Sequence, residues 1–212
     1  MMKIPGQNTS FRTMFLWGLL GFVIVAIVFT FIYTELRLQA KASLPRIGAV
    51  PDFTLIERTG QKIPLSDLKG KAWIADFIFT NCGGSCPLMS SRMANFQEQL
   101  KNDYNILLVS FTVDPDRDTP EALKDYAEMY NASASRWLFL TGDKEKLQYL
   151  TREGFHLGVS KDSVSAVEPI IHSTMLVLVD RQGVIRGYYD SDDNVAMDKL
   201  IVDVRTLALE KN

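Results

Sequence analysis

Charge disappears from the chain between Met14 and Tyr33, where M-F-L-W-G-L-L-G-F-V-I-V-A-I-V-F-T-F-I-Y forms a continuous apolar run. As a helix this run covers a hydrocarbon core of about 30 Å. It is longer than a signal-peptide core of roughly 7–15 residues, and no A-x-A cleavage site follows before Glu35 and Arg37. It therefore predicts an uncleaved transmembrane helix, with Trp17 and Tyr33 as interfacial aromatics near its ends. Around it, residues 1–13 read as a polar leader and 34–50 as a linker stopped by Pro45 and Gly48.

Residues 51–212 change to short apolar runs between turn signals. Phe53 to Glu57 and Gln61 to Pro64 flank Arg58-Thr59-Gly60 and predict a β-hairpin, and Ser66 to Gly70 a helical turn. Trp73 to Thr80 and Ile106 to Val113 are nearly unbroken apolar runs, the pattern of strands covered on both faces. A helix is expected from Pro87 to Lys101. Thr119-Pro120-Glu121 supplies an N-cap, a proline at the first helical position and an acidic first turn, so a second helix runs from Pro120 to about Tyr130. Trp137 to Thr141 is a strand, Lys144 to about Glu153 a helix, and Met175 to Val179 with Val184 to Tyr189 a hairpin around Asp180 to Gly183. Apolar positions 195, 197, 200, 201, 204, 207 and 208 give a closing helix. Strand–helix alternation followed by a hairpin and a helix predicts an α/β, thioredoxin-like fold behind an N-terminal transmembrane helix.

The net charge of −2 and a charged fraction of 23% give no basis for a nucleic-acid partner. Two cysteines in 212 residues are too few for a disulfide scaffold, which directs attention to their chemistry. Cys82 and Cys86 form a C-x3-C pair in the turn N-C-G-G-S-C-P, between an apolar strand and a helix. Backbone N–H groups and the positive dipole end of a helix favour thiolate over thiol, the form that attacks disulfides and binds soft metals. Two thiolates suit Cu(I), and an imidazole would complete a tighter site. The histidines are His156 and His172, and a histidine judged alone is more often structural than a ligand.

Three motifs in order, F-x-F-T-x-C-x3-C-P at Phe77 to Pro87, V-D-P-x-R-D-T-P at Val113 to Pro120 and H-S-x-M from His172, together with the anchor, resemble the Sco/SenC family. That resemblance implies copper-binding, thioredoxin-fold proteins that assist assembly of the dinuclear copper site of cytochrome c oxidase. It implies Cys82 and Cys86 as thiolate ligands and His172 as the imidazole, leaves His156 structural, and places Asp114 near the metal. Asp118 reads as a turn-forming residue. The implied partners are the copper-site subunit of the oxidase, a thiol reductant and, through the helix, the membrane. Family members commonly carry Pro-Asp-x between the cysteines. Gly83-Gly84-Ser85 stands here, a change expected to lower thiol pKa and loosen metal geometry.

Lys3 and Arg12 precede the anchor while Arg37, Lys41 and Arg46 follow it, so charge alone does not orient it. The leader is too short and arginine-poor for a mitochondrial presequence, and with the resemblance this predicts a single-pass protein of a bacterial inner membrane with its domain in the periplasm. The alternative activity is a thiol–disulfide oxidoreductase using Cys82 and Cys86. A peroxidase fits less well, because Asp76 and Phe77 stand where the peroxiredoxin proline is expected, and a copper or redox sensor would act with no separate output domain.

Overall fold

The computed structural model describes residues 9–41, 44–157 and 173–210, in two compact units divided after Ser43. The first is one helix, α1 (Thr9–Lys41), in which Met14–Tyr33 is long and apolar enough to cross a membrane and is exposed throughout.

In the second unit the long strands β4 (Ala72–Ile78) and β5 (Ile106–Thr112) pair in parallel and are buried along their whole length. Their unbroken apolar sequence follows from this, since both faces of the sheet are covered. On the far side of β5 lies β6 (Trp137–Thr141), also parallel, then β2 (Thr54–Glu57) and β3 (Lys62–Pro64), the expected hairpin. On the other side of β4 come β7 (Met175–Val179), antiparallel, β8 (Val184–Asp190) and β1 (Gly48–Ala49), giving the order β1-β8-β7-β4-β5-β6-β2-β3. One face packs Ile74 and Ile78 against α2 (Cys86–Gln99), α3 (Pro120–Met129) and α5 (Asn194–Leu209). The other buries Trp73, Phe77, Phe111 and Phe155 as an aromatic cluster, with Phe77 and Phe111 stacked at 5.3 Å, beneath α4 (Lys144–Tyr149).

The predicted elements all recur, with three differences. Helix α2 starts at Cys86, one residue before Pro87, which places a cysteine in its first turn. The helix expected to about Glu153 gives way after Tyr149 to a π-helical turn, Leu150–Gly154, where a Cβ on Gly154 would stand 2.8 Å from the Pro51 ring. Within the stretch read as linker, residues 44–50 join the sheet: β1 pairs with β8, the Ile47 N–H donates to Ile185, and the Val50 N–H to Gly183. The Arg186 guanidinium adds bonds to the Leu44 and Pro45 carbonyls at 2.8 and 3.0 Å.

Candidate functional site: a cysteine turn at the end of the sheet

Strand β4 delivers the chain to a turn at its C-terminal end, and α2 carries it away. Cys82 is partly exposed in that turn, Cys86 is only 4% exposed, and both are free thiols. Between them, Gly83 has open space where a Cβ would point, and Gly84 faces only the Cys82 Sγ, 3.9 Å from the position of its missing Cβ. The Ser85 side chain makes no cap hydrogen bond to the first turn of α2.

The two cysteines differ in environment. Burial, chiefly, pushes the Cys86 thiol up to about 12; the neighbouring Cys82 acts in the same direction and the Phe79 backbone partly against it. At Cys86 the surroundings therefore work against the thiolate that a helix N-terminus favours. Packing beside Met89 and Met93 removes water, and the desolvation outweighs the helix N-terminus.

Beneath α2, Asp76 projects from the middle of β4 with no exposed surface and no hydrogen bond to either carboxylate oxygen. Ser110, its register partner on β5, accepts from the Trp137 indole N–H at 2.8 Å, and its hydroxyl offsets only part of the burial. Desolvation pushes Asp76 up to about 7, and its charge in turn acts on Cys86 and Tyr126. Tyr126 shares a 2.8 Å bond with Ser90, one turn of α2 beyond Cys86. The sequence signal for this group is a lone carboxylate inside A-W-I-A-D-F-I, which by pattern alone does no more than weigh against a peroxidase.

The V-D-P-x-R-D-T-P loop lies beside the turn. Its Asp118, 1% exposed, accepts from the Thr80 hydroxyl at 2.6 Å, the Thr80 N–H at 3.2 Å and the Thr112 hydroxyl at 2.5 Å. Asp114 pairs with Arg117 at 3.2 Å, and its N–H donates to Thr112. The cap of α3 is Thr119, which accepts from the Ala122 N–H.

His172 lies outside the described residues. Strand β7 begins at Met175, and its antiparallel register with β4 puts that start at the sheet end where the cysteine turn emerges. His156 is exposed with φ of 51°, its ring against Gly48 and away from the turn. Among the described residues no three His, Cys, Asp or Glu side chains converge on a common point. A cleft of about 400 Å³ between β2 and α4 contains neither cysteine.

The chain has counterparts among known proteins. The SCO1/SenC family model matches residues 42–208. The SCO1 protein homolog of Bacillus subtilis strain 168 is 34% identical over 164 residues, covering 76% of this chain and 84% of the homolog. The structure of BsSco, a member of the Sco family of cytochrome c oxidase assembly proteins in which a disulfide switch was identified, superposes with a TM-score of 0.69 at 33% identity, covering 80% of this chain and 99% of BsSco. Yeast Sco1 with copper bound gives 0.59 at 25% identity, over 76% of this chain and 90% of its own. With the match running from the first strand through the cysteine turn to α5, the chain belongs to the SCO1/SenC family.

Proposed function

We propose that this protein is a membrane-tethered copper chaperone that takes up copper with Cys82, Cys86 and His172 and passes it to the copper-site subunit of a cytochrome c oxidase. The observation that carries the reading is the pair of free thiols at the mouth of α2, one partly exposed and one buried. Soft sulfur donors with one imidazole suit copper, yeast Sco1 has been solved with copper bound, and BsSco is named among oxidase assembly proteins.

Copper is the cargo here, held by ligand exchange and not consumed. Binding displaces the thiol protons. Burial makes the Cys86 proton a firmly held one, while the accessible Cys82 is the sulfur an incoming ligand reaches first. Helix α1 serves as a single-pass anchor in a bacterial inner membrane with the domain in the periplasm, behind a leader at 1–13 and a linker at 34–50 whose last residues dock on the sheet. Confinement to one surface raises the effective concentration of chaperone and target.

A second reading, thiol–disulfide exchange, is favoured by the same pair of free thiols, an accessible Cys82 beside a buried Cys86. In it Cys82 thiolate attacks a partner disulfide, Cys86 then attacks the Cys82 sulfur, the partner leaves as a dithiol, and an external thiol reductant restores the pair.

Copper stoichiometry and affinity of the full chain in detergent, reduced and anaerobic, test the proposal beside Cys82→Ser, Cys86→Ser and His172→Ala. One copper per chain, weakened by each substitution, is the expected result. A folded, reduced protein that binds none would be a tethered dithiol reductase, and unchanged affinity in His172→Ala would remove the imidazole from the site.

A further inference from the structure

We infer that Asp118 is a positioning residue for the dithiol: it holds the strand side of the cysteine turn and so sets where the Cys82 sulfur stands relative to Cys86. Cys86 is fixed by α2 and the core beneath it. Of the link between the cysteines, only Ser85 is tied to the helix, through its carbonyl to the Met89 N–H; Gly83 and Gly84 carry no side chain to anchor Cys82, and a Cβ at Gly83 would meet only open space. Cys82 has to be held from the other direction. Its N–H donates to Phe79 at 3.2 Å, and the next residue, Thr80, is bound through both its N–H and its hydroxyl to Asp118.

Asp118 is itself anchored by hydrogen bonds on its backbone and side chain. Its N–H donates to the Asp114 carbonyl at 2.9 Å, and its second oxygen takes the Thr112 hydroxyl at the end of β5. The carboxylate is buried without a cationic partner among the described residues, since the nearby Arg117 pairs with Asp114. Burying a charge against neutral donors is costly, but it provides shorter and stronger bonds than an amide or hydroxyl acceptor would give. Asp118 thus ties β4, β5 and the start of α3 together two residues before the first thiol.

The inference rests on the dithiol chemistry shared by both functional readings and not on copper. Two quantities test it on the full chain in detergent: the equilibrium between dithiol and Cys82–Cys86 disulfide in thiol redox buffers, and Cu(I) affinity by chelator competition. Asp118→Asn and Thr80→Val should each shift the equilibrium toward the dithiol by about threefold or more, because a loosened Cys82 meets Cys86 less often. Copper affinity should fall roughly 10- to 100-fold, as when groups that orient metal ligands are lost. Thr80→Ser, which keeps the hydroxyl, should restore wild-type values, and Arg186→Lys at the far end of the sheet should move neither. If Asp118→Asn does not fold, Thr80→Val and Thr112→Val decide. If the wild type binds no copper, the chaperone reading fails and the disulfide equilibrium alone judges Asp118. Unchanged values of both quantities in the folded variants would overturn the inference.

Discussion

A carboxyl in the middle of a fully buried strand works against folding, and Asp76 makes that penalty measurable. Its ordinary value of 3.8 is raised to about 7 in the fold. Between those two values the native protein holds a proton that the unfolded chain releases. Its contribution to stability is therefore fully present below about pH 4 and lost as pH rises through 7. Asp76→Asn removes the titration. Relative to wild type, the variant should gain on the order of 4 kcal/mol between pH 4 and pH 8, since each tenfold change in proton affinity between the folded and unfolded chains is worth roughly 1.4 kcal/mol. Denaturant unfolding of both proteins at the two pH values checks this, and a difference that does not vary with pH would show that Asp76 does not titrate in the fold. The residue also shows how far single positions can be read from the sequence. The cysteines and the three motifs are local patterns and stand out. The burial of Cys86 and the three donors on Asp118 depend on which face of α2 and which loop end pack inward, information carried by distant residues such as Thr80 and Thr112.

Elements are legible where their reasons are local. Helix α3 follows from Thr119-Pro120-Glu121, and the Thr119 hydroxyl does accept from Ala122 at 3.3 Å. Thr119→Ala should accordingly cost about 1 kcal/mol in unfolding free energy, measured by denaturant titration. Strands β4 and β5 are legible for the same reason, since burial on both faces demands uninterrupted apolar residues. Strand β1 is not, because two residues carry no alternation and their pairing is supplied by β8. The π-turn at Leu150–Gly154 is hidden too, as it depends on the approach of Pro51 to Gly154. In the cysteine turn, Gly83 lies outside the left-handed region and has free space beside it. Gly83→Ala should therefore be tolerated and stabilise by about 0.4–1 kcal/mol through a less flexible unfolded chain. A marked loss of stability would mean that the turn needs the backbone freedom of glycine.

Across the domain the sheet has two ends with different tasks. The C-terminal ends of β4 and β5 and the start of β7 gather the cysteine turn, the Asp118 loop and the entry to the H-S-x-M segment. The opposite end, at the Asp180–Gly183 turn, holds the first residues of the domain. There the Arg186 guanidinium, almost fully buried, pairs with Asp180 at 2.9 Å and Glu210 at 3.2 Å while donating to the Leu44 and Pro45 carbonyls. One planar, five-donor group thus gathers the hairpin turn, the C-terminal end of α5 and the segment leading in from α1, a task to which an ammonium group is not suited. Separation of the two ends implies separable functions. Arg186→Lys keeps a charge for Asp180 but loses the fork on Leu44 and Pro45, and should lower stability by roughly 1–3 kcal/mol. Limited proteolysis should become faster around residues 44–47, while copper bound per folded chain stays at the wild-type value. A drop in copper binding by the folded variant would mean instead that the attachment of residues 44–50 is transmitted along β8 and β7 to the cysteine end, and that the docked segment is part of the site.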